Sequence, residues 1–388
     1  MDDPFRRAGR IIVTCSKRLA PYLEMEVVGL GYQPVRVFQT GVELYGSMED
    51  CMVLNLNLRC ASQVLYSLGQ LNARDPETLY HGIVRLPWEE LISSDDYFSV
   101  TSNVNTPSVN NALFVNVRVK DAIADRIRNK TSKRPDSGAE LRGAVIHIYW
   151  KDKQAEVFID TSGETLAKHG YRKIPGKAPM LESLAAATIM ASQWDPKTPF
   201  INPMCGSGTL AIEAALLATN RKPGLYRSHF SFMHVKGYRS EQYRQLLTSL
   251  QMHVNEQPHI KIVATDISLD AIRIAKANAE SAGVANYIHF EKCDFEKTPV
   301  PAGRNGVIFF NPEYGERLGE IKALEQTYKR IGDFMKKNGE GYTGCVFTGN
   351  PELAKKIGLR PSRRIEFYSA KIDCRLLRYD LYAGSRES

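Results

Sequence analysis

The chain has no cysteine pair spaced Cys-x-x-Cys. Its seven cysteines (Cys15, Cys51, Cys60, Cys205, Cys293, Cys345 and Cys374) are scattered and odd in number. That is a pattern of reduced thiols, and it argues against a zinc site or a disulfide framework. No apolar run approaches the length of a membrane span, and the amino terminus lacks the apolar stretch of a signal peptide. A cytoplasmic protein is expected, with no membrane, metal or disulfide partner. Two phosphate-binding signatures are also missing. Gly206-Ser207-Gly208 is followed by Leu210 and Ala211 rather than the third glycine of a dinucleotide fingerprint, and no Gly-Lys-Ser/Thr ending makes a P-loop.

What is present suffices for two or three domains with real cores: 388 residues, 43% hydrophobic and 24% charged. A net charge of +8 favours a polyanionic partner without establishing one. Near the amino terminus, Arg10–Thr14 reads as a strand and Pro21–Gly29 as a helix. Val35–Val37 and Val42–Tyr45 alternate around Thr40-Gly41 as a hairpin, and Asp50–Leu68 carries Leu54, Leu58, Ala61, Val64, Leu65 and Leu68 at helical spacing. Further on, Pro87–Leu91 opens a short helix and Tyr97–Val100 is a strand. Leu113–Val119 alternates as a half-buried strand running into a helix from Asp121, and strands follow at Ala144–Tyr149 and Ala155–Ile159.

Charge is most lopsided between Arg118 and Arg134, where seven basic residues face two acidic ones. On a helix Arg126, Lys130 and Arg134 would share one face. Lys120, Arg126, Lys130, Lys133 and Arg134 are the candidate RNA-phosphate contacts; a solvated helix face is the alternative. A second basic stretch, Lys355–Arg378, holds eight Lys/Arg and leaves the same two readings open.

Past a glycine- and proline-rich segment, a linker or the lip of a cleft, the pattern becomes alternating strands and helices. It predicts a doubly wound, mostly parallel sheet, interrupted by an irregular insertion over residues 221–258. Four strand ends then carry chemistry. Asn202-Pro203-Met204-Cys205-Gly206-Ser207-Gly208-Thr209 leads from strand to helix with side chains removed at two positions; it is either a tight turn or a ligand cradle. Asp266 ends the next strand, where it can take ribose hydroxyls or cap the following helix. Asp294 ends a third and can accept a bond from an adenine amine or simply make a turn. Asn311-Pro312-Glu313-Tyr314 follows the apolar run Gly306–Phe310 and brings an amide, a carbonyl and a ring to the rim. Those groups suit a planar base with an exocyclic amine.

In this order, the segments NPMCGSGTLAIEAAL, ATDIS, CDF and NPEYGERLG resemble the motifs of class I S-adenosylmethionine-dependent methyltransferases of the N-methylating type. NLNLRCASQVL, VKDAIADRIR, the SKRP loop and DTSGETLAKHGYR are similar to THUMP-containing RNA methyltransferases, above all those that make N2-methylguanine in 23S ribosomal RNA. The resemblance covers roughly residues 10–382. It implies a Rossmann-like methyltransferase sheet preceded by an α+β ferredoxin-like and THUMP RNA-binding region. The expected bounds are 1–70 for the ferredoxin-like domain, 71–165 for THUMP, 166–180 for a linker and 181–388 for the methyltransferase domain. It further implies S-adenosyl-L-methionine as cofactor, held by Asn202, Pro203, Met204, Cys205, Gly206, Gly208, Thr209, Asp266, Ile267 and Asp294. Asn311, Pro312 and Tyr314 would hold the base, displaced from its helix or loop. No cysteine neighbours Asn311, which excludes the covalent chemistry of pyrimidine C5 methylation.

The sequence departs from the family pattern twice. Asn202 stands where the family usually has Asp, and Glu313 replaces the second proline of Asn-Pro-Pro-Tyr. The proline would fix φ; Glu313 loosens the loop and adds a carboxylate where RNA phosphates must approach. A guanine-N2 methyltransferase acting on 23S rRNA is therefore expected. A tRNA guanine-N2 methyltransferase and a non-catalytic RNA-binding or ribosome-assembly factor impaired at Glu313 stand as alternatives.

Overall fold

The computed structural model describes residues 5–109, 111–176, 179–302, 305–315 and 318–382. The chain divides into two compact units. The first consists of Met1–Cys15, Leu23–Leu166 and Arg227–Ser249, the second of Ser16–Tyr22, Ala167–Tyr226 and Leu250–Ser388.

From β1 to β8 the elements are β1 (Gly9–Thr14), α1 (Ala20–Gly29), β2 (Arg36–Phe38), β3 (Gly41–Gly46), α2 (Met48–Asn57), β4 (Gln63–Asn72), α3 (Pro76–Val84), α4 (Trp88–Leu91), β5 (Tyr97–Asn105), α5 (Ala112–Thr131), β6 (Asp136–Gly138), β7 (Ala144–Lys151) and β8 (Gln154–Asp160). The eight strands make one sheet in the order β2-β3-β1-β4-β8-β7-β5-β6, so the β4–β8 ladder joins both halves of this region.

Two expectations fail here, each for a physical reason. Asp50–Leu68 is not one helix. α2 ends at Asn57 with Leu58 already extended, and Val64 and Leu65 lie on β4. The amides freed at the break, Arg59 and Cys60, donate to the half-buried Glu26 carboxylate at 2.9 and 2.8 Å, a tertiary cap that no local pattern announces. Conversely, Leu113–Val119 is helical. Asn111 caps α5 by accepting from the Leu113 amide, and Val115, Val119, Ala122, Ile123 and Ile127 form the buried stripe. Leu113 and Val117, which completed the apparent alternation, are exposed.

The remaining elements are α6 (Glu182–Ser192), β9 (Phe200–Pro203), α7 (Thr209–Ala218), α8 (Ser240–Met252), β10 (Ile262–Asp266), α9 (Leu269–Ser281), β11 (Ile288–Lys292), β12 (Val307–Phe310), α10 (Leu318–Asn338), β13 (Thr343–Thr348), α11 (Pro351–Lys356), β14 (Arg363–Ser369) and β15 (Ile372–Asp380). The insertion after α7 is thus less irregular than its sequence suggests. Its Arg227–Ser249 stretch belongs to the first unit, where Ser231 Oγ accepts the Val145 amide at 2.7 Å.

The second unit's sheet runs β11-β10-β9-β12-β13-β15-β14, parallel from β11 to β13, with β15 antiparallel to both neighbours. β12 is buried at all four positions, as suits an interior parallel strand covered on both faces. On α10, Tyr328, Ile331, Phe334 and Met335 recur at helical spacing and pack with Ile308, Phe310 and Val346. From β9 the chain winds one way to β10 and β11, then crosses to β12 and β13. The carboxyl ends of β9 and β12 flank that reversal, where open α/β sheets leave a crevice.

Candidate active site

At the end of β9 the backbone turns sharply, with Met204, Gly206 and Gly208 at φ of 58°, 55° and 81°. A side chain at Gly208 would press on Ala275, whereas Gly206 faces open space, so one glycine serves packing and the other leaves room over the turn. The turn is tied on several sides. Gly206 N–H donates to Asp266 Oδ2 at 3.0 Å, and Cys205 N–H to the Thr265 carbonyl at 2.9 Å. The Arg172 guanidinium donates to Ser207 Oγ at 3.0 Å, Thr209 Oγ1 at 3.1 Å, the Met180 carbonyl at 2.8 Å and the nearly buried Glu182 carboxylate at 3.0 Å. From α9, Asn278 accepts the Lys173 and Ile174 amides and donates to the Ser207 carbonyl, fastening the 172–176 segment against the turn. Cys205 is buried, and burial pushes its thiol well up, so it is no nucleophile at neutral pH.

Asn202, 1% exposed, donates through Nδ2 to the Phe309 carbonyl of β12 at 2.9 Å; its Oδ1 is buried with no partner among the described residues. One strand on, Asp266 holds the Ser268 amide at 2.9 Å as well as Gly206, with lone pairs to spare on both oxygens. Its carbonyl accepts the Cys293 amide, which brings the ends of β10 and β11 together. Beside Asp266, Ile267 presents a side chain 68% exposed at the same rim.

Asp294 is more occupied than a free acceptor would be. It caps a short turn through the Glu296 amide and receives Arg330 at 2.9 Å on both oxygens, and together these donors hold its carboxyl below the usual range.

At the end of β12, Asn311 Oδ1 is likewise buried, without a partner among the described residues. Pro312 is buried, while the Glu313 side chain is exposed. Tyr328 Oη donates to the Glu313 carbonyl and Asn350 Nδ2 to the Tyr314 carbonyl, both at 3.2 Å. The Tyr314 ring is half-buried, its hydroxyl within hydrogen-bonding reach of Ser369 and Cys374; burial raises its pKa. Glu316 and Arg317, the end of this motif, lie outside the described residues.

Asn202, the glycine turn, Asp266 and Ile267 therefore meet at one rim, with Asn311 one strand away across β9–β12. Arg172, Glu182, Asn278 and Arg330 escaped sequence reasoning. Arg172 sits in the HGYR segment, but nothing in a helix sequence marks Asn278 as a strut.

The basic run of the first unit is arranged differently from the expectation. α5 ends at Thr131 with Ser132 left-handed, so Arg134 does not continue the helix face. Arg134 turns back to Asp121 at 3.2 Å, Arg126 is bound to Glu89 through two bonds at 2.9 and 2.6 Å, and Lys133 pairs with Asp95. Among the described residues Lys120 and Lys130 carry no ion pair.

Likeness to known proteins bears directly on this geometry. Residues 169–378 match the family described as RMKL-like, methyltransferase domain. The chain belongs to that family. Residues 10–65 match the RlmL ferredoxin-like domain and residues 73–160 the THUMP domain. Two curated relatives of this RMKL-like chain, from Syntrophotalea carbinolica and Methylococcus capsulatus, are named ribosomal RNA large subunit methyltransferase K/L. Each is 34% identical, over 98% and 95% of this chain but only 54% and 50% of their own. The chain thus spans about half the length of these relatives. A methyltransferase solved with S-adenosylhomocysteine superposes with a TM-score of 0.88 at 26% identity, covering 98% of this chain and all of that one.

Proposed function

We propose that this RMKL-like protein is a cytoplasmic S-adenosylmethionine-dependent methyltransferase acting on the N2 of a guanine in 23S rRNA. The observation that carries the proposal is the pair of buried, unpartnered amide oxygens, Asn202 Oδ1 and Asn311 Oδ1, at adjacent strand ends. A buried acceptor left unpaired costs roughly 1–3 kcal/mol, so two side by side argue for ligands that satisfy them.

The cofactor fits the first end. The space over Gly206 admits its methionine part, Asn202 Oδ1 accepts from that part's ammonium group, Asp266 takes the ribose, and Ile267 and Asp294 flank the adenine. When bound, the cofactor supplies an electrophilic methyl group. Asn311 Oδ1 then accepts one N–H of the guanine amine, and the Pro312 carbonyl suits the other. An exocyclic amine is a poor nucleophile because its lone pair is delocalised into the ring; fixing both N–H bonds turns that lone pair toward the methyl carbon. Tyr314, anchored at its hydroxyl end, braces the base by stacking. Transfer of the methyl group breaks its bond to the sulfonium sulfur, leaving S-adenosylhomocysteine, and the methylated amine loses one proton to solvent, so positioning is the main contribution and no strong base is required. THUMP-domain docking supplies RNA affinity, with Lys120 and Lys130 the cations left for phosphate.

The test is methylation of deproteinised 23S rRNA and of tRNA with labelled cofactor, followed by digestion and mass mapping. N2-methylguanine in 23S rRNA is the expected product. N2-methylguanine in tRNA alone would transfer the reading to that substrate. No affinity for S-adenosylhomocysteine would leave the assembly-factor reading, to which the exposed Glu313 carboxylate lends support.

A further inference from the structure

Ser16–Tyr22, although early in the chain, is part of the second unit. Tyr22 stacks on Phe367 with centroids 5.6 Å apart, and Arg18 donates to Asp373 at 2.6 Å and pairs with Glu366 at 3.0 Å. Lys17 Nζ lies 4.8 Å from the centre of the Tyr368 ring. Between this segment, the start of α6 and the β14–β15 turn opens a cleft of about 570 Å³ lined by Lys17, Leu181, Leu184, Tyr368, Ser369 and Lys371, among others. That is room for a nucleotide.

Both acids at its edge are spent. Glu366 and Asp373 each pair with Arg18 and with Arg375. Lys17 and Lys371 are exposed and carry no ion pair among the described residues, so the cleft has two cations over a floor partly made of leucine. Its wall at Ser369 is the residue within reach of the Tyr314 hydroxyl, which puts the cleft beside the loop proposed to hold the base. A base leaves its helix or loop with its chain neighbours attached, and those neighbours need a cationic, partly apolar channel close to the base pocket.

We propose that this cleft binds the RNA nucleotide adjacent to the target. Its phosphate lies on Lys17 and Lys371, and its base or ribose packs on Leu181, Leu184 and Tyr368. The inference rests on RNA being the substrate, as proposed above.

The experiment uses the full chain, deproteinised 23S rRNA and a Lys17→Ala/Lys371→Ala double variant. Its RNA affinity is expected to fall about tenfold or more at low salt, and its slope of log affinity against log salt to be shallower by about 1.4, two single-strand contacts. The loss in methylation falls on the KM for RNA, while S-adenosylhomocysteine affinity is unchanged. As a second readout, 4-thiouridine RNA irradiated on the wild-type protein should cross-link to peptides containing Lys17 or Tyr368–Lys371. If the wild-type chain methylates the RNA while the variant matches it in affinity and salt slope, the cleft is refuted and the function stands. Cross-links confined to other peptides of an active protein refute the cleft equally. A wild-type chain without RNA affinity refutes both.

Discussion

The second unit contains the same short sequence pattern twice, Asn202-Pro203-Met204-Cys205-Gly206 across the end of β9 and Asn311-Pro312-Glu313-Tyr314-Gly315 just after β12. Both end in a glycine at φ near +60° (55° and 60°), both leave an asparagine Oδ1 buried and unpartnered, and they sit on hydrogen-bonded neighbouring strands. The turns differ in what braces them. The first is held by Asp266, Thr265, Arg172 and Asn278. Among the described residues, two 3.2 Å side-chain bonds, from Tyr328 and Asn350, fasten the second turn's own carbonyls. The local sequence therefore sets the turn, and tertiary bonds set how stiffly it is kept. A stiff turn suits a small ligand of constant shape. A lightly held one suits a base that arrives attached to a polymer.

The contrast is sharpest between the two asparagines. Asn311→Ala should lower kcat by about 10²–10³-fold, the scale of losing one orienting contact in a transfer governed by alignment, with cofactor affinity intact by calorimetry. Asn202→Ala should weaken cofactor binding about 10–100-fold, since it removes a hydrogen bond to a charged group. Because Asn202 Nδ2 also ties β9 to the Phe309 carbonyl two residues before Asn311, this variant should lose kcat as well. Equal phenotypes for the two alanine variants would sink the division of labour.

Bracing itself can be removed. Arg172→Ala leaves Glu182, at 4% side-chain exposure, buried without its cation, which costs about 3–5 kcal/mol and should lower the melting temperature clearly. Arg172→Lys keeps the charge but replaces a planar fork reaching four acceptors by one point donor. It should restore most of the melting temperature while leaving cofactor affinity down about tenfold. If Lys restores both, Arg172 acts through stability and not by shaping the turn.

How much of this was legible depended on where the controlling contact lay. β12 is found at Val307–Phe310, as its apolar run announces, and Ser268 caps α9 by accepting the Ala271 amide. Both rest on neighbours in sequence. The order of the four strand ends was legible for the same reason, since topology follows from alternation of strands and helices. The helix break at Leu58 was illegible because its amides are held by Glu26, more than thirty residues upstream. The shared helix face was misplaced for a related reason: charge counts say neither that α5 stops at Thr131 nor that Arg126 and Lys133 pair with Glu89 and Asp95. The unpartnered asparagine oxygens mark the other limit. The residues were legible, but their lack of a partner is a property of the packed structure alone.

Glu313 offers the smallest and most discriminating test of the second turn. Its carbonyl is held by Tyr328, but its carboxylate is exposed at the rim where the proposed RNA substrate would enter. Two charges meeting in water near a surface interact by about 1 kcal/mol or less, and salt screens that further. Glu313→Gln should therefore raise kcat/KM for RNA about two- to fivefold at low ionic strength. The gain should vanish near 0.3 M salt, with cofactor affinity unmoved. Glu313→Pro adds a backbone restraint to the same loss of charge. If the looseness of the loop is what admits the base, proline should gain no more than glutamine does. A proline variant far more active than the glutamine one, at every salt concentration, would mean that the lightly braced turn is a defect and that catalysis wants both turns stiff.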